Sequence, residues 1–214
     1  MIILVCVAIG NESTLSFGTG SFSVACWVNS NQTGTTSFVL GKSDNRGTSD
    51  ATGFALYLGN SGTDWVFSVG DGTDYEVVET TVAANTSQWY HLCGTFNGTS
   101  KQLKLYVDGV LVETDADTDI GDIDNSDAFD IGRLDASTTG DWDGYICNVG
   151  VWSAVLTQAQ VKSIMNKNYA GLTDSETTNL VSWWNLDVET STSGVAGGTG
   201  GVADSHGSNH GDLE

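Results

Sequence analysis

The chain has 214 residues, which is enough to bury a full hydrophobic core, and all-β sandwiches of this length commonly form one domain. Its formal net charge is −20, from 27 acidic and 7 basic residues. A field of that sign repels phosphate backbones and anionic lipids, so nucleic acid and membranes are not expected partners. No stretch reaches the ~18 apolar residues of a membrane-spanning helix.

The composition favours strands over helices. Hydrophobic residues make up 39% of the chain and charged residues only 16%, and the polar remainder is largely Gly, Ser, Thr and Asn. This mixture is typical of short strands joined by tight turns. Because the chain has no proline, no ladder hydrogen bond is blocked.

The N-terminal residues 1–9 form an apolar run. The run has no basic region before it and is at the short end for a signal peptide. We interpret it as a buried strand, with the remnant of an export signal as the alternative.

Alternating apolar residues then recur along the chain and predict strands with one buried face. The clearest sets are Phe22, Val24, Cys26 and Val28; Phe54, Leu56 and Leu58; Trp65, Phe67 and Val69; and Leu103, Leu105 and Val107. Asp108-Gly109 predicts a two-residue hairpin turn, because Asp and Gly tolerate the positive φ that such turns need.

One short helix is predicted over residues 157–168. Thr157 and Gln160 have the spacing of a capping box, and Leu156 and Val161 that of a hydrophobic staple. A further strand is predicted over 180–186, followed by a run over 191–201 that is rich in Gly, Ser and Thr.

Several of these segments together resemble a known family. The chain resembles the laminin-G-like jelly rolls, also called concanavalin A-like lectin/glucanase domains, in five motifs that follow the family's order over 13–170: Phe22–Val28, Trp89–Gly98, Leu105–Val112, Phe129–Arg133 and Trp142–Trp152. The resemblance implies an all-β fold, an antiparallel two-sheet jelly-roll sandwich.

The sequence departs from the family at two places. Cys147 and Asn148 stand where the family usually carries an acidic pair. A segment like 180–187 followed by 204–211 normally opens the family's domain, whereas here it closes the chain. We therefore expect residues 1–214 to form a single sandwich with 180–214 as its closing segment, which is circularly permuted, exchanged with a neighbouring subunit, or cut from a longer repeat array.

The four cysteines, Cys6, Cys26, Cys93 and Cys147, lie in predicted strands without CxxC spacing. Metal-thiolate and redox motifs are thus not indicated. Two interpretations remain: two disulfides, or buried thiols that act as small hydrophobic side chains.

No arrangement of residues indicates catalysis. Retaining glycosidases hold two carboxyl groups about 5–5.5 Å apart. The nearest candidates, Glu76 and Glu79, are three positions apart and would point to opposite faces of a strand. His91 lies in a strand, and His206 and His210 lie in a Gly-Ser-Asn turn, without a nucleophile elbow. We expect the chain not to be an enzyme.

Acidic residues concentrate between 115 and 130. Asp115, Asp117 and Asp119 alternate as in calcium loops, in which carboxylate and carbonyl oxygens surround the ion. The resemblance adds to this, since concanavalin A-like domains often bind calcium in rim loops. The hypothesis is a structural calcium ion at these residues, and the alternative is a solvated acidic loop.

Trp142 is the candidate for contact with a sugar ring, because it lies in a polar stretch that resembles a loop tip. Asp141 and Asp143 flank it and complete the candidate carbohydrate-binding group.

Two functions remain open. The first is a phage virion component, either a capsid decoration or a fibre protein, because the fold resembles extracellular recognition modules although the chain starts at Met without a convincing export signal. The second is a secreted or cell-surface carbohydrate-binding module of an adhesin. Expected partners are other virion or surface proteins in an oligomeric assembly, and glycans. The expected location is the virion or the extracellular space.

Overall fold

The structure is a computed structural model. It describes residues 6–43, 51–59, 61–81, 83–116, 119–134, 140–186 and 201–213, together with the backbone of residues 2 and 3. No helix in this part of the chain is both long enough and apolar enough to cross a membrane.

The described residues form strands and a few short helices. In chain order the strands are β1 (Ile2–Ile3), β2 (Val7–Gly10), β3 (Phe22–Ser30), β4 (Ser37–Ser43), β5 (Thr52–Gly59), β6 (Asp64–Asp71), β7 (Tyr75–Glu79), β8 (Trp89–Asn97), β9 (Gln102–Val107), β10 (Val110–Ala116), β11 (Phe129–Ile131), β12 (Gly144–Trp152), β13 (Leu180–Trp184), β14 (Gly201–Val202) and β15 (Gly211–Leu213). The α-helices are α1 (Gln158–Ile164) and α2 (Asp174–Thr177), and 3₁₀ turns cover Ser13–Leu15 and Tyr169–Gly171.

These strands form two antiparallel sheets that face each other. Sheet A has the order β1-β12-β3-β8-β9-β10, and β13 also pairs with β12. Sheet B has the order β14-β15-β2-β11-β4-β5-β6-β7. The predicted all-β, two-sheet jelly-roll sandwich is confirmed.

The side chains of the alternating apolar residues fill the space between the two sheets, as predicted. Phe22, Val24, Cys26 and Val28 of β3 are all fully buried. Phe67 of sheet B packs where Gly94 of sheet A leaves room, because a Cβ atom at Gly94 would overlap the Phe67 ring. Close packing of this kind makes both sheets parts of one core.

The N-terminal prediction needs a correction. The run over residues 1–9 does not form one strand, because β1 pairs with β12 in sheet A whereas β2 pairs with β11 and β15 in sheet B. The apolar run therefore contributes to both layers.

Two local predictions are confirmed. Asp108 and Gly109 have φ values of +50° and +74° in the turn between β9 and β10. Thr157 and Gln160 form the capping box of α1, although the helix ends at Ile164, earlier than expected.

The predicted strand over 180–186 is present as β13, which pairs with β12 of its own chain. Asp204 fastens the C-terminal segment to it: one carboxylate oxygen accepts the backbone N–H groups of Trp183, His206 and Gly207 at 3.0 Å. The other oxygen accepts the N–H of Asn209 at 3.1 Å. The carboxylate is 6% exposed, so these bonds are shielded from water.

We expect Asp204→Asn to destabilise the fold by about 2 kcal/mol, because an amide accepts at only one of its two positions and a charged acceptor is lost. Urea unfolding measures the change. Asp212→Asn on β15 is the matched control and should change stability by less than about 0.5 kcal/mol. Equal unfolding midpoints for the two variants would contradict the role given to Asp204.

An ion pair secures the connection between α1 and β13. Lys167 Nζ lies 2.7 Å from both carboxylate oxygens of Glu176, which is 3% exposed. Thr173 donates to the same carboxylate from its backbone and its hydroxyl. Burial alone would raise the pKa of Glu176, but hydrogen bonds, led by that of Lys167, outweigh burial and lower the pKa to about 2.

This lowered pKa predicts acid sensitivity. Because the unfolded chain takes up the proton first, the stability that Glu176 contributes is complete above its ordinary pKa of 4.5 and is lost as the pH falls towards about 2. The free energy of unfolding of the wild type should therefore be larger than that of Glu176→Gln at pH 7, and this difference should be smaller at pH 3. Glu113→Gln on exposed β10 should show no such gap. A gap that stays constant with pH would refute the assignment.

Candidate functional site

The strand pairings divide the loops between two ends of the sandwich. β6, β8 and β10 begin at the first end, where β7 and β9 finish. The acid-rich segment after β10 lies at the second end, because Asp115 pairs with Leu103 near the start of β9.

A cleft opens at the first end between the edges of the two sheets. Its volume is about 360 Å³, within the ~300–1,000 Å³ of ordinary ligand sites. Its lining comes from β6, β8, β9, β10 and the segment that joins β7 to β8: Trp65, Thr80, Thr81, Ala83, Asn85, Gln88, Tyr90, Val107 and Val112.

Hydrogen bonds fix the described part of the joining segment against both sheets. Thr80 Oγ1 accepts the backbone N–H of Trp65 at 3.1 Å. The Tyr90 hydroxyl accepts the backbone N–H and the side-chain amide of Asn85, at 3.0 and 3.2 Å. The Asn85 amide also approaches Gln88 Oε1 at 3.5 Å. The polar rim of the cleft is therefore preorganised.

Aromatic rings form the inner wall of the cleft. The ring centroids of Trp65 and Tyr90 are 5.4 Å apart. The Trp65 Nε1 atom is buried and finds no hydrogen-bond partner among the described residues. Because no charged side chain is among the described residues that line the cleft, its chemistry suits a neutral ligand with an apolar face and several hydroxyl groups.

The expectation that Trp142 stands exposed at a loop tip is wrong. Its side chain is 5% exposed and belongs to the main core, where its ring centroid lies 6.0 Å from that of Trp65. The backbone turns inward because Trp142 N–H bonds Gly132 O at 2.7 Å. Trp142 thus supports the cleft wall from behind and offers no face to a sugar.

The two acids beside Trp142 lie at the first end but do not line the cleft. Asp141 is exposed. Asp143 accepts the side-chain amide of Asn31 at 2.9 Å. Asp141 and Asp143 therefore lie at the same end of the sandwich as the cleft, whereas the sequence analysis did not select the cleft residues Asn85, Gln88 and Tyr90. The available signal was the polar stretch 80–88 directly before the Trp89-Tyr90 motif.

The acidic residues at the second end are spread over the surface. Asp115 and Asp119 are exposed, and Asp117 lies outside the described residues. In the part of the chain that the structure describes, no group of three or more His, Cys, Asp or Glu side chains is arranged to hold a metal ion. Calcium at these three residues stays a prediction.

A lysine ammonium group organises the same end. Lys42 is 2% exposed, and its Nζ donates to Asn11 Oδ1, to both the backbone and side-chain oxygens of Asn125, and to Asp127 O, all within 2.8–3.1 Å. Burial lowers the pKa of Lys42, while the nearby Asp127 and Asp124 oppose that shift. The buried ammonium group of Lys42 therefore holds the backbone and side-chain oxygens of this loop in place.

Neighbouring carboxylates bind backbone amides. Asp124 accepts the N–H of Gly18 at 2.8 Å, and Asp71 accepts those of Thr73 and Asp74 at 2.8 Å. Although burial alone would raise the pKa of Asp71, its backbone hydrogen bonds lower it.

The remaining candidates for chemistry have structural roles. Glu76 and Glu79 lie three positions apart on β7, paired with Val69 and Val66. His210 Nδ1 accepts the N–H of Asp204 at 3.1 Å, and His206 Nδ1 meets the Tyr169 hydroxyl at 3.2 Å.

The thiol interpretation of the cysteines fits the structure. Cys26 and Cys93 are fully buried free thiols, and burial raises the pKa of each well above its ordinary value. Cys6 donates from Sγ to Gly132 O at 3.5 Å.

Comparison with solved structures supports the fold. A protein from Bacteroides ovatus ATCC 8483, for which carbohydrate binding has been proposed, superposes with a TM-score of 0.72 and 20% identity over 100% of this chain. This chain spans 59% of the length of that protein.

Two further structures are carbohydrate-binding domains. The sialidase domain CBM40 of Ruminococcus gnavus, bound to α2,3-sialyllactose, has a TM-score of 0.59 and 14% identity, covering 76% of this chain and 95% of its own. Domain 4 of the extracellular arabinanase AbnA of Geobacillus stearothermophilus, in complex with arabinotriose, has a TM-score of 0.56 and 19% identity, covering 70% and 68%.

A search of curated protein sequences finds no match to this chain. By contrast, the laminin-G-type sequence profile of the concanavalin A-like lectin/glucanases superfamily matches residues 7–162, which include strands of both sheets and most of α1. The chain therefore belongs to the concanavalin A-like lectin/glucanase superfamily and has its lectin-like fold.

Proposed function

We propose that this protein is a non-catalytic carbohydrate-binding module whose ligand occupies the cleft at the first end of the sandwich. The observation that carries the proposal is the lining of the cleft, where the rings of Trp65 and Tyr90 stand beside the amides of Asn85 and Gln88 and the hydroxyl of Thr81. Because Trp65 and Tyr90 are only 1% and 8% exposed, their rings form the apolar floor of the cleft, and the amides at its rim donate and accept hydrogen bonds with sugar hydroxyls.

The ligand class that fits best is a neutral saccharide. In the part of the chain that the structure describes, no Lys or Arg lines the cleft to pair with a carboxylate or sulfate group, and the net charge of −20 repels anions. In this respect we expect the chain to differ from the Ruminococcus gnavus domain, whose ligand, sialyllactose, is acidic.

The positions of Glu76 and Glu79 support a binding role over hydrolysis. β7 is a regular strand in which both residues keep the antiparallel register with β6. Side chains three positions apart on such a strand point to opposite faces. A glycosidase needs both carboxyl groups beside the same glycosidic bond, and side chains on opposite faces of β7 do not provide that arrangement.

An assembly role, as a virion or surface component, is the second candidate function. It is favoured by β10, the outermost strand of sheet A, where Val110, Leu111 and Val112 are 54%, 39% and 39% exposed. An unpaired edge with apolar side chains favours docking of other chains. Sedimentation of the purified chain over a concentration series tests this role: self-assembly that Leu111→Lys abolishes supports it, and a monomer at all concentrations opposes it.

The cleft predicts a specific loss of affinity. Gln88→Ala should weaken binding of a neutral oligosaccharide about fivefold, which corresponds to the net value of one hydrogen bond, about 1 kcal/mol. Titration calorimetry against a panel of neutral and sialylated oligosaccharides measures it.

Gln102→Ala is the matched control, because Gln102 lies at the opposite end of β9 from the cleft. It should bind as wild type does. Equal affinities for the Gln88 and Gln102 variants, or binding restricted to sialylated ligands, would rule out the cleft as proposed.

Calcium binding at Asp115, Asp117 and Asp119 predicts stabilisation by the ion. An ion that binds only the folded state adds about 2.7 kcal/mol at a concentration one hundred times its Kd. The Tm should therefore rise between chelator and millimolar calcium, and Asp117→Ala should abolish the rise. An unchanged Tm would refute the site.

A further inference from the structure

Part of the outward face of sheet A is left uncovered by α1. The helix packs over outward side chains that include Ala25, Cys93, Tyr106 and Trp152. Towards the first end, the next rows are formed by Trp27 opposite His91, and by Asn29 opposite both Trp89 and Tyr145. These five residues are called the outer aromatic face. They point away from the core because the residues that alternate with them, Cys26, Val28, Tyr90, Leu92 and Ile146, are buried between the sheets.

The rings of the outer aromatic face are in mutual contact. Trp89 lies 6.5 Å from Trp27 and 6.2 Å from Tyr145 between ring centroids, at interplanar angles of 75° and 37°. Trp89 is 36% exposed, and the other two rings are half-buried. The supporting rings therefore hold one large aromatic side chain in place at the surface.

An amide-rich pocket borders this face. Trp27 Nε1 donates to Met165 O at 2.8 Å, directly after α1. Met165 in turn lines an open cavity of about 480 Å³, together with Asn148, Asn166, Lys167, Asn168 and Gly171. Cys147 pairs with Trp27 across the strands, so Asn148, the next residue, lies directly beside the outer aromatic face. The ammonium group of Lys167 is already neutralised by Glu176.

A polar atom without a partner lies under the same surface. His91 is 3% exposed, and its Nδ1 atom has no hydrogen-bond partner. Its ring centroid is 5.4 Å from that of Trp27. Because this nitrogen is itself buried, His91 supports the rings of the outer aromatic face from beneath and is not counted among the ligand contacts.

We propose that the outer aromatic face and the adjoining pocket form a second carbohydrate-binding site for a neutral oligosaccharide. One sugar ring stacks on Trp89 and Tyr145, and the next extends past Trp27 to hydrogen-bond with Asn148, Asn166 and Asn168. The charge of −20 excludes anionic glycans. An apolar protein surface docked here would cover the amides of Asn148 and Asn168 without offering them partners, which is costly, whereas Asn166 already donates to Lys162 O at 3.2 Å. This site is independent of the cleft.

The test is titration calorimetry of the full chain with linear β-1,4-gluco-, β-1,4-xylo- and α-1,5-arabino-oligosaccharides. Trp89→Ala should weaken binding at one of two sites by about tenfold or more, and Trp89→Phe should retain part of the affinity. Asn166→Ala, at a residue that does not line the cleft, should weaken the same site. Leu111→Ala is the matched control, because Leu111 has a similar exposed fraction, 39%, on the same sheet.

Each variant is also measured in a Gln88→Ala background, which separates the two sites. Weakening by Trp89→Ala and Asn166→Ala in both backgrounds supports the second site, whether or not Gln88→Ala has an effect of its own. Binding that responds to Gln88→Ala alone overturns it. Failure of every oligosaccharide to bind the wild-type chain overturns it as well.

Discussion

The outer edge of β12 is the constraint on which the rest of the sandwich depends. On one side β12 pairs with β3 along its length, and on the other side β1 pairs with its first half and β13 with its second half. Left open, this edge would expose unpaired backbone groups and Trp184, which is fully buried. The chain covers it by bringing a segment from each end of the sequence to the same strand.

Along β12, the partner strands β1 and β13 meet at an irregularity in the sheet. This irregularity also shapes the protein surface beside α1. The pairing with β3 shifts between Cys147 and Gly150, where Asn148 has a φ of +50° and its N–H bonds Asn185 O at 2.9 Å. Asn is one of the few residues that tolerate this conformation. The family's acidic pair is thus replaced at a point where the backbone turns the Asn148 side chain towards the pocket beside α1.

The sequence predicted those features that depend on local chemistry. The Asp108-Gly109 turn and the Thr157 capping box follow from backbone preferences of a few adjacent residues, and the alternation around Phe22 follows from the two-residue period of a strand. Trp142 was misassigned because its burial depends on Trp65, which is 77 positions earlier in the chain. The role of Lys42 was missed for the same reason, since three of its four acceptors lie in a loop more than 80 residues away. The cleft is likewise formed by residues of four strands and one connecting segment, which no local pattern brings together.

β8 links the two proposed binding surfaces. Successive side chains of a strand point to opposite faces, so Tyr90 enters the cleft while Trp89 stands on the outer aromatic face. The two sites therefore share a rigid backbone but no side chain, and one glycan chain can engage both only by passing around the first end of the sandwich. Where the chain binds a surface with many glycans, occupation of one site raises the effective concentration at the other, and modest affinities combine into firm attachment. The cleft lies at the first end, whereas the acidic segment that Lys42 holds in place lies at the second end. This arrangement would orient the molecule with its binding surfaces towards such a target.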